Sequence, residues 1–142
     1  MEKKGAGMDG ILIVEPDHAQ RELIADWLVA DGFDPFLCPG PTAEDYVCLA
    51  VRGVHCPLAS SAGIVILDMY LESDAALRGT PGWEILDYYL SAGKRVIAIT
   101  GDEDQMISLP DEDIEVIKKP IERDALRAAV HRLRFRAKAE AN

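Results

Sequence analysis

Cysteine is scarce in this chain, and what there is does not pair. Cys38, Cys48 and Cys56 form no CxxC motif, and an odd count without a metal-ligand rhythm predicts reduced, mostly buried thiols, not a disulfide framework. Cys48, His55 and Cys56 are close in sequence, yet their spacing fits no usual zinc pattern. Long apolar runs are missing as well: none approaches the ~20 residues that span a bilayer. The lysine-bearing start MEKKGAGMDG has no apolar segment behind it before the short run at Ile11–Val14, so it is not a secretory signal. Basic residues are outnumbered, 15 Lys and Arg against 25 Asp and Glu, and the net charge of -10 argues against general affinity for nucleic acid or anionic membranes. These absences leave a protein expected in the cytoplasm, with other proteins as its partners.

What is present suits one domain. A length of 142 residues supports a self-sufficient core, and 49% apolar with 28% charged residues is ordinary for a globular protein. Residues 1–10 are expected to form a flexible leader and 11–138 the domain. Four short apolar runs stand out: ILIV (11–14), IVIL (64–67), RVIAI (95–99) and IEVI (114–117). Three are almost unbroken and rich in β-branched residues, as suits strands buried on both faces of a parallel sheet.

Helical patterns lie between the runs. Leu23, Ile24, Trp27 and Leu28 make a stripe that ends at Gly32, a natural residue just past a helix, and Ile85, Leu86, Tyr89 and Leu90 repeat it up to Gly93. A last helix from about Ile121 to Lys138 places Leu126, Val130 and Leu133 on one face. Its arginines and lysine (Arg132, Arg134, Arg136, Lys138) read as a solvated face, and Trp27 and Trp83 as core or boundary residues. The segment 33–38 (FDPFLC) is a weaker strand. Pro35 removes a ladder donor there, which an edge strand tolerates. A short helix capped by Thr42, with Asp45 three residues on, should follow, and 101–113 should hold one or two helical turns.

Strand and helix thus alternate five times, which implies an α/β domain: a doubly wound five-stranded parallel sheet with helices on both faces. Two architectures fit, the flavodoxin-like order 2-1-3-4-5 and a half-Rossmann unit. The first puts the second strand, with its proline, at an edge.

In such sheets ligands bind beyond the carboxyl ends of the strands, where the strand order reverses. The residues closing the strands are Glu15-Pro16-Asp17, Asp68, Thr100 and Lys118-Lys119-Pro120. Carboxylates, a hydroxyl and an ammonium would therefore converge on one edge. No glycine-rich loop follows the first strand, which argues against a dinucleotide or P-loop site. Clustered carboxylates suit a hard cation such as Mg²⁺. A carboxylate beside a metal and a lysine can attack phosphorus, because both cations offset charge on the transferring group.

The segments ILIVEPD, IVILD, AITG and VIKKP, in that order, resemble the signature segments of response-regulator receiver domains, and the likeness covers residues 11 to about 135. It implies a phosphoacceptor at Asp68, a hydroxyl at Thr100 that turns toward the phosphoryl group, and an ammonium at Lys119 that contacts it, reached through a cis Lys119–Pro120 bond. It also implies magnesium, weakly held by Asp68, the Tyr70 carbonyl, and Glu15 or Asp17. The donor would be a histidine kinase or phosphotransfer protein and the output a downstream protein. The chain would be a signalling phosphoacceptor, not an enzyme in the usual sense.

The departures define the alternatives. The family's second acidic position falls on Pro16, and Asp17 has a competing role as a helix N-cap. The connection 69–82 is longer than usual and lacks the usual proline. The switch position in the last strand, commonly aromatic, is Val116. A pseudo-receiver, the same fold used as a phosphorylation-independent interaction module, is the second reading. A flavodoxin-like or hydrolytic enzyme is the third, and it lacks a nucleophile elbow or phosphate loop.

Overall fold

The apolar runs become strands and the stripes become helices in the computed structural model, which describes residues 10–39, 57–69, 81–101 and 113–141, with backbone alone at 59, 81–84 and 135–141. In chain order the elements are β1 (Ile11–Val14), α1 (His18–Ala30), β2 (Pro35–Cys38), the single turn α2 (Pro57–Ser60), β3 (Ile64–Asp68), α3 (Pro81–Ser91), β4 (Arg95–Thr100), β5 (Ile114–Lys118) and α4 (Arg123–Ala141). Every neighbouring pair of strands is parallel, in the order β2-β1-β3-β4-β5. The flavodoxin-like order is the one adopted; β1 lies between β2 and β3, which a half-Rossmann unit does not allow. Pro35 opens the edge strand β2, where its missing N–H costs no ladder bond. The strand starts later than expected because the Phe33 amide is spent on the Leu28 carbonyl at the exit of α1.

Strands β1, β3 and β4 are buried throughout, and their alternation divides the core in two. On one face Leu12, Val14, Val65, Leu67, Val96 and Ala98 pack against Ile85, Leu86 and Tyr89 of α3. On the other, Ile11, Ile13, Ile64, Ile66, Ile97 and Ile99 meet Ile24 and Leu28 of α1 and Leu126, Val130 and Leu133 of α4. Leu23 is an exception to the expected stripe. It is exposed, because the buried face of α1 is centred on Ile24, Ala25 and Leu28 and Leu23 turns away from it. Trp27 is a boundary residue, partly buried against the second half of the core.

Asp17 caps α1, its side chain accepting from the Gln20 amide, and Gly32 and Gly93 follow their helices at φ 94° and 83°, a region that glycine enters without strain. The last helix begins at Arg123 and not Ile121. Arg132 and Arg134 are exposed, the solvated face that the sequence implies, and the arginines of this helix still reach partners. Arg132 pairs with Glu115 at 2.8 Å, Arg134 lies over the Phe33 ring, and Arg123 and Arg127 both reach the Asp31 carboxylate at 3.1 Å. The helix expected after Thr42, the turns in 102–112, Cys48, His55 and Cys56, and the side chains of Trp83, Arg136 and Lys138 lie outside the described residues. No described helix is long and apolar enough to cross a membrane.

Candidate phosphoacceptor site

Register brings the strand-end residues together. Val14 sits opposite Leu67 in the β1–β3 pair, so the next residues on each strand, Glu15 and Asp68, emerge side by side, their backbones about 4.8 Å apart as in any neighbouring strands. On the other side of β3, Asp68 is opposite Ile99, and Thr100 follows at the end of β4. Thr100 in turn faces Lys118, and its carbonyl accepts the Lys119 amide at 2.8 Å. The Lys119–Pro120 bond is cis, as the resemblance implied. Lys119, not Lys118, enters the site: its Nζ lies 3.0 Å from Asp68 Oδ2, while Lys118 is exposed.

Burial is what gives this cluster its chemistry. Glu15, Asp68 and Thr100 are 1%, 3% and 0% exposed. Burying a charged group is costly unless it is paired and hydrogen-bonded; Asp68 is paired, while Glu15 has hydrogen bonds and, among the described residues, no cation. Asp68 has the Lys119 ammonium. Glu15 Oε1 accepts from Gln20 Nε2 at 2.8 Å and Oε2 from the Asp17 amide at 3.1 Å. Glu15 also lies within hydrogen-bonding reach of Asp68. Desolvation raises its pKa to about 7; Gln20 and the Asp17 amide pull the other way, and the Asp68 charge and hydrogen bond add to the rise.

Of the candidate metal ligands, Glu15 and Asp68 stand together. Asp17 spends its carboxylate on the Gln20 amide, the capping role, and Tyr70 is outside the described residues. Among the described residues no group of three or more His, Cys, Asp and Glu side chains is gathered as a metal site. Two adjacent buried carboxylates on a sheet edge nonetheless fit a hard divalent cation, which keeps waters in its remaining positions and would relieve their mutual repulsion.

Two participants escaped the sequence reading. Gln20 grips the Glu15 side chain, and Arg21 donates from Nη1 to the Glu15 carbonyl at 2.6 Å. Their one sequence signal is place: both fall in the opening turn of the helix that Asp17 caps.

No protein-family model and no curated protein matches the chain. Solved structures do match. A CheY-like response regulator receiver domain protein from Methanospirillum hungatei is 18% identical with a TM-score of 0.64, covering 93% of this chain and 98% of that one. A response regulator receiver domain protein from Clostridium thermocellum is 21% identical with a TM-score of 0.67, covering 92% and 97%. The response regulator TrrA from Thermotoga maritima, crystallised with Mg²⁺ and BeF, is 20% identical with a TM-score of 0.65, covering 88% and 98%. The chain has the fold of response-regulator receiver domains over most of its length.

Proposed function

We propose that this chain is a receiver module of a two-component phosphorelay, accepting a phosphoryl group on Asp68 from a histidine kinase or phosphotransfer protein. The observation that carries the reading is the Lys119 ammonium 3.0 Å from Asp68 Oδ2 in a site where Asp68 is 3% exposed. A buried carboxylate held by a cation has one oxygen anchored and another to present as nucleophile. In the transfer, an Asp68 oxygen forms the new P–O bond as the donor's P–N bond breaks. The electron pair returns to an imidazole protonated on its other nitrogen, which leaves neutral. Lys119 would offset the charge that moves onto the acceptor, and Thr100, at the adjoining strand end, would hydrogen-bond a phosphoryl oxygen. Glu15 and Asp68 would hold Mg²⁺, with the Tyr70 carbonyl and water completing its shell, and the metal when bound supplies further positive charge to the phosphoryl oxygens. Output would pass to a downstream protein, in the cytoplasm, through a changed surface. The chain would turn over no substrate of its own beyond phosphorylation from small donors and loss of the phosphoryl group.

One observation favours a second reading: Pro16 removes a carboxylate where the family carries one, and Glu15 and Asp68 can share a proton in place of a metal. The same fold would then be a phosphorylation-independent interaction module. Mass spectrometry after incubation with acetyl phosphate and Mg²⁺ separates the two. The phosphoacceptor reading expects a single acyl phosphate, absent in Asp68→Asn, whose amide is a poor nucleophile. Modification of Asp68→Asn at the unmodified chain's level would overturn it.

A further inference from the structure

We propose that Gln20 is a positioning residue that holds Glu15 in place as the second carboxylate of the metal site, standing in for the one missing at Pro16. This rests on the receiver reading above, and it names a residue which that reading does not use.

A glutamate has one more methylene than an aspartate and so more rotamer freedom to lose when it is fixed. At a strand end beside Asp68, an unrestrained Glu15 would turn away from a like charge. It does not. Gln20 Nε2 holds one oxygen at 2.8 Å, the Asp17 amide holds the other at 3.1 Å, and the carboxylate is 1% exposed. The two grips differ in kind. The Asp17 amide is main chain and present whatever the side chain; Gln20 is the part of the clamp that the sequence chooses. It reaches Glu15 because the same short loop that ends β1 turns into α1 at Asp17, which puts the first turn of the helix over the strand end. Arg21, one residue on, ties the Glu15 backbone carbonyl at 2.6 Å, so side chain and main chain are both fixed from this turn. Each carboxylate oxygen accepts more than one hydrogen bond or ligand, so the clamp leaves Glu15 lone pairs free toward Asp68. A charged ligand held by a neutral donor in this way matches the general pattern in which partners behind a metal ligand orient it, and their loss weakens metal binding by roughly 10–100-fold.

The test is Gln20→Met, nearly the same shape without the donor and a good helix former, with Gln20→Ala as the second variant. Mg²⁺ binding is read by calorimetry on the full chain. We expect an affinity about tenfold weaker in both variants. The melting temperature without Mg²⁺ should fall only modestly in Gln20→Met, which keeps the packing of this partly buried side chain and leaves Glu15 Oε1 without one donor. In acetyl phosphate reactions the Mg²⁺ concentration for half-maximal rate should rise by the same factor, with the rate at saturating Mg²⁺ retained, a split that a merely structural role does not produce. Unchanged Mg²⁺ affinity in both variants, beside measurable binding by the unmodified chain, overturns the role of Gln20 and leaves the receiver reading standing. Weaker affinity matched by a steep fall in melting temperature and a lowered saturating rate overturns it also, as general loosening of the fold. No Mg²⁺ binding by the unmodified chain overturns both.

Discussion

Burial of Glu15 next to Asp68 makes its proton a folding ligand. The pKa is about 7 in the folded chain against 4.5 for an ordinary glutamate. Below pH 4.5 both folded and unfolded states carry the proton, and the favourable contribution is fully present. Between 4.5 and about 7 the unfolded chain gives the proton up while the folded chain keeps it, so stability falls as pH rises, and above about 7 the loss is complete. The loss is at most about 3 kcal/mol. Glu15→Gln, neutral at every pH, should flatten that fall and be the more stable protein at about pH 8. Denaturant unfolding across the range checks it, and parallel curves for the two proteins would show that Glu15 does not carry the proton. Because a metal must displace the same proton, Mg²⁺ affinity should rise through this range.

Strand ends and helix starts, not strand interiors, decide what the elements of this domain do. Close approach at the other end of the sheet shows how little slack the elements have. Gly10 precedes β1 and its carbonyl accepts the Gly63 amide at 3.0 Å, while a Cβ at Gly10 would collide with the Ser61 carbonyl. Since the obstacle is backbone, Gly10→Ala should cost about 1–3 kcal/mol by chemical denaturation, in the manner of overpacking elsewhere. A loss below about 0.5 kcal/mol, the range of neutral surface changes, would mean the turn at Ser61 moves aside freely. The strands themselves were legible in the sequence because a β-branched run buried on both faces can hardly be anything else, and Pro35 marked its strand as an edge. Asp68 and Thr100 were legible because each closes such a run, while Lys119 lies one residue past the partly buried β5 and was told from Lys118 by the resemblance alone. Leu23 was misread, because four apolar residues in a stripe do not say which of them faces the sheet. Gln20 and the Asp31 clamp on Arg123 and Arg127 were illegible: each is a contact between polar side chains whose partners depend on how a helix is rotated or where a distant helix docks. The choice of Glu15 over Asp17 as companion to Asp68 was likewise undecidable from spacing alone, and the helix cap decides it by occupying Asp17.

At the scale of the whole molecule, a chain of net charge -10 attracts divalent cations everywhere, so a specific site must show itself against that background. Linkage supplies the means. A ligand that binds the folded state alone stabilises it by an amount set by its concentration relative to Kd, about 1.4 kcal/mol at ten times Kd, or some 5 °C for a domain of this size. Mg²⁺ should therefore raise the melting temperature more than sodium chloride of equal ionic strength, and the excess should vanish in Asp68→Asn. Pro16→Asp sharpens the experiment, because it returns a unit charge to within a few ångströms of the ion, worth on the order of several kcal/mol before desolvation at an effective dielectric near 20. The substitution also removes a proline, which alone lowers stability by about 0.4–1 kcal/mol through the unfolded chain. The quantity to compare is thus the Mg²⁺-dependent shift, not the melting temperature itself. It should be larger in Pro16→Asp than in the unmodified chain. Equal shifts would mean that Glu15, held by Gln20, already supplies what Pro16 withholds. No excess shift in the unmodified chain, together with no acyl phosphate on Asp68, would identify the domain as an interaction module that keeps the fold and has given up the chemistry.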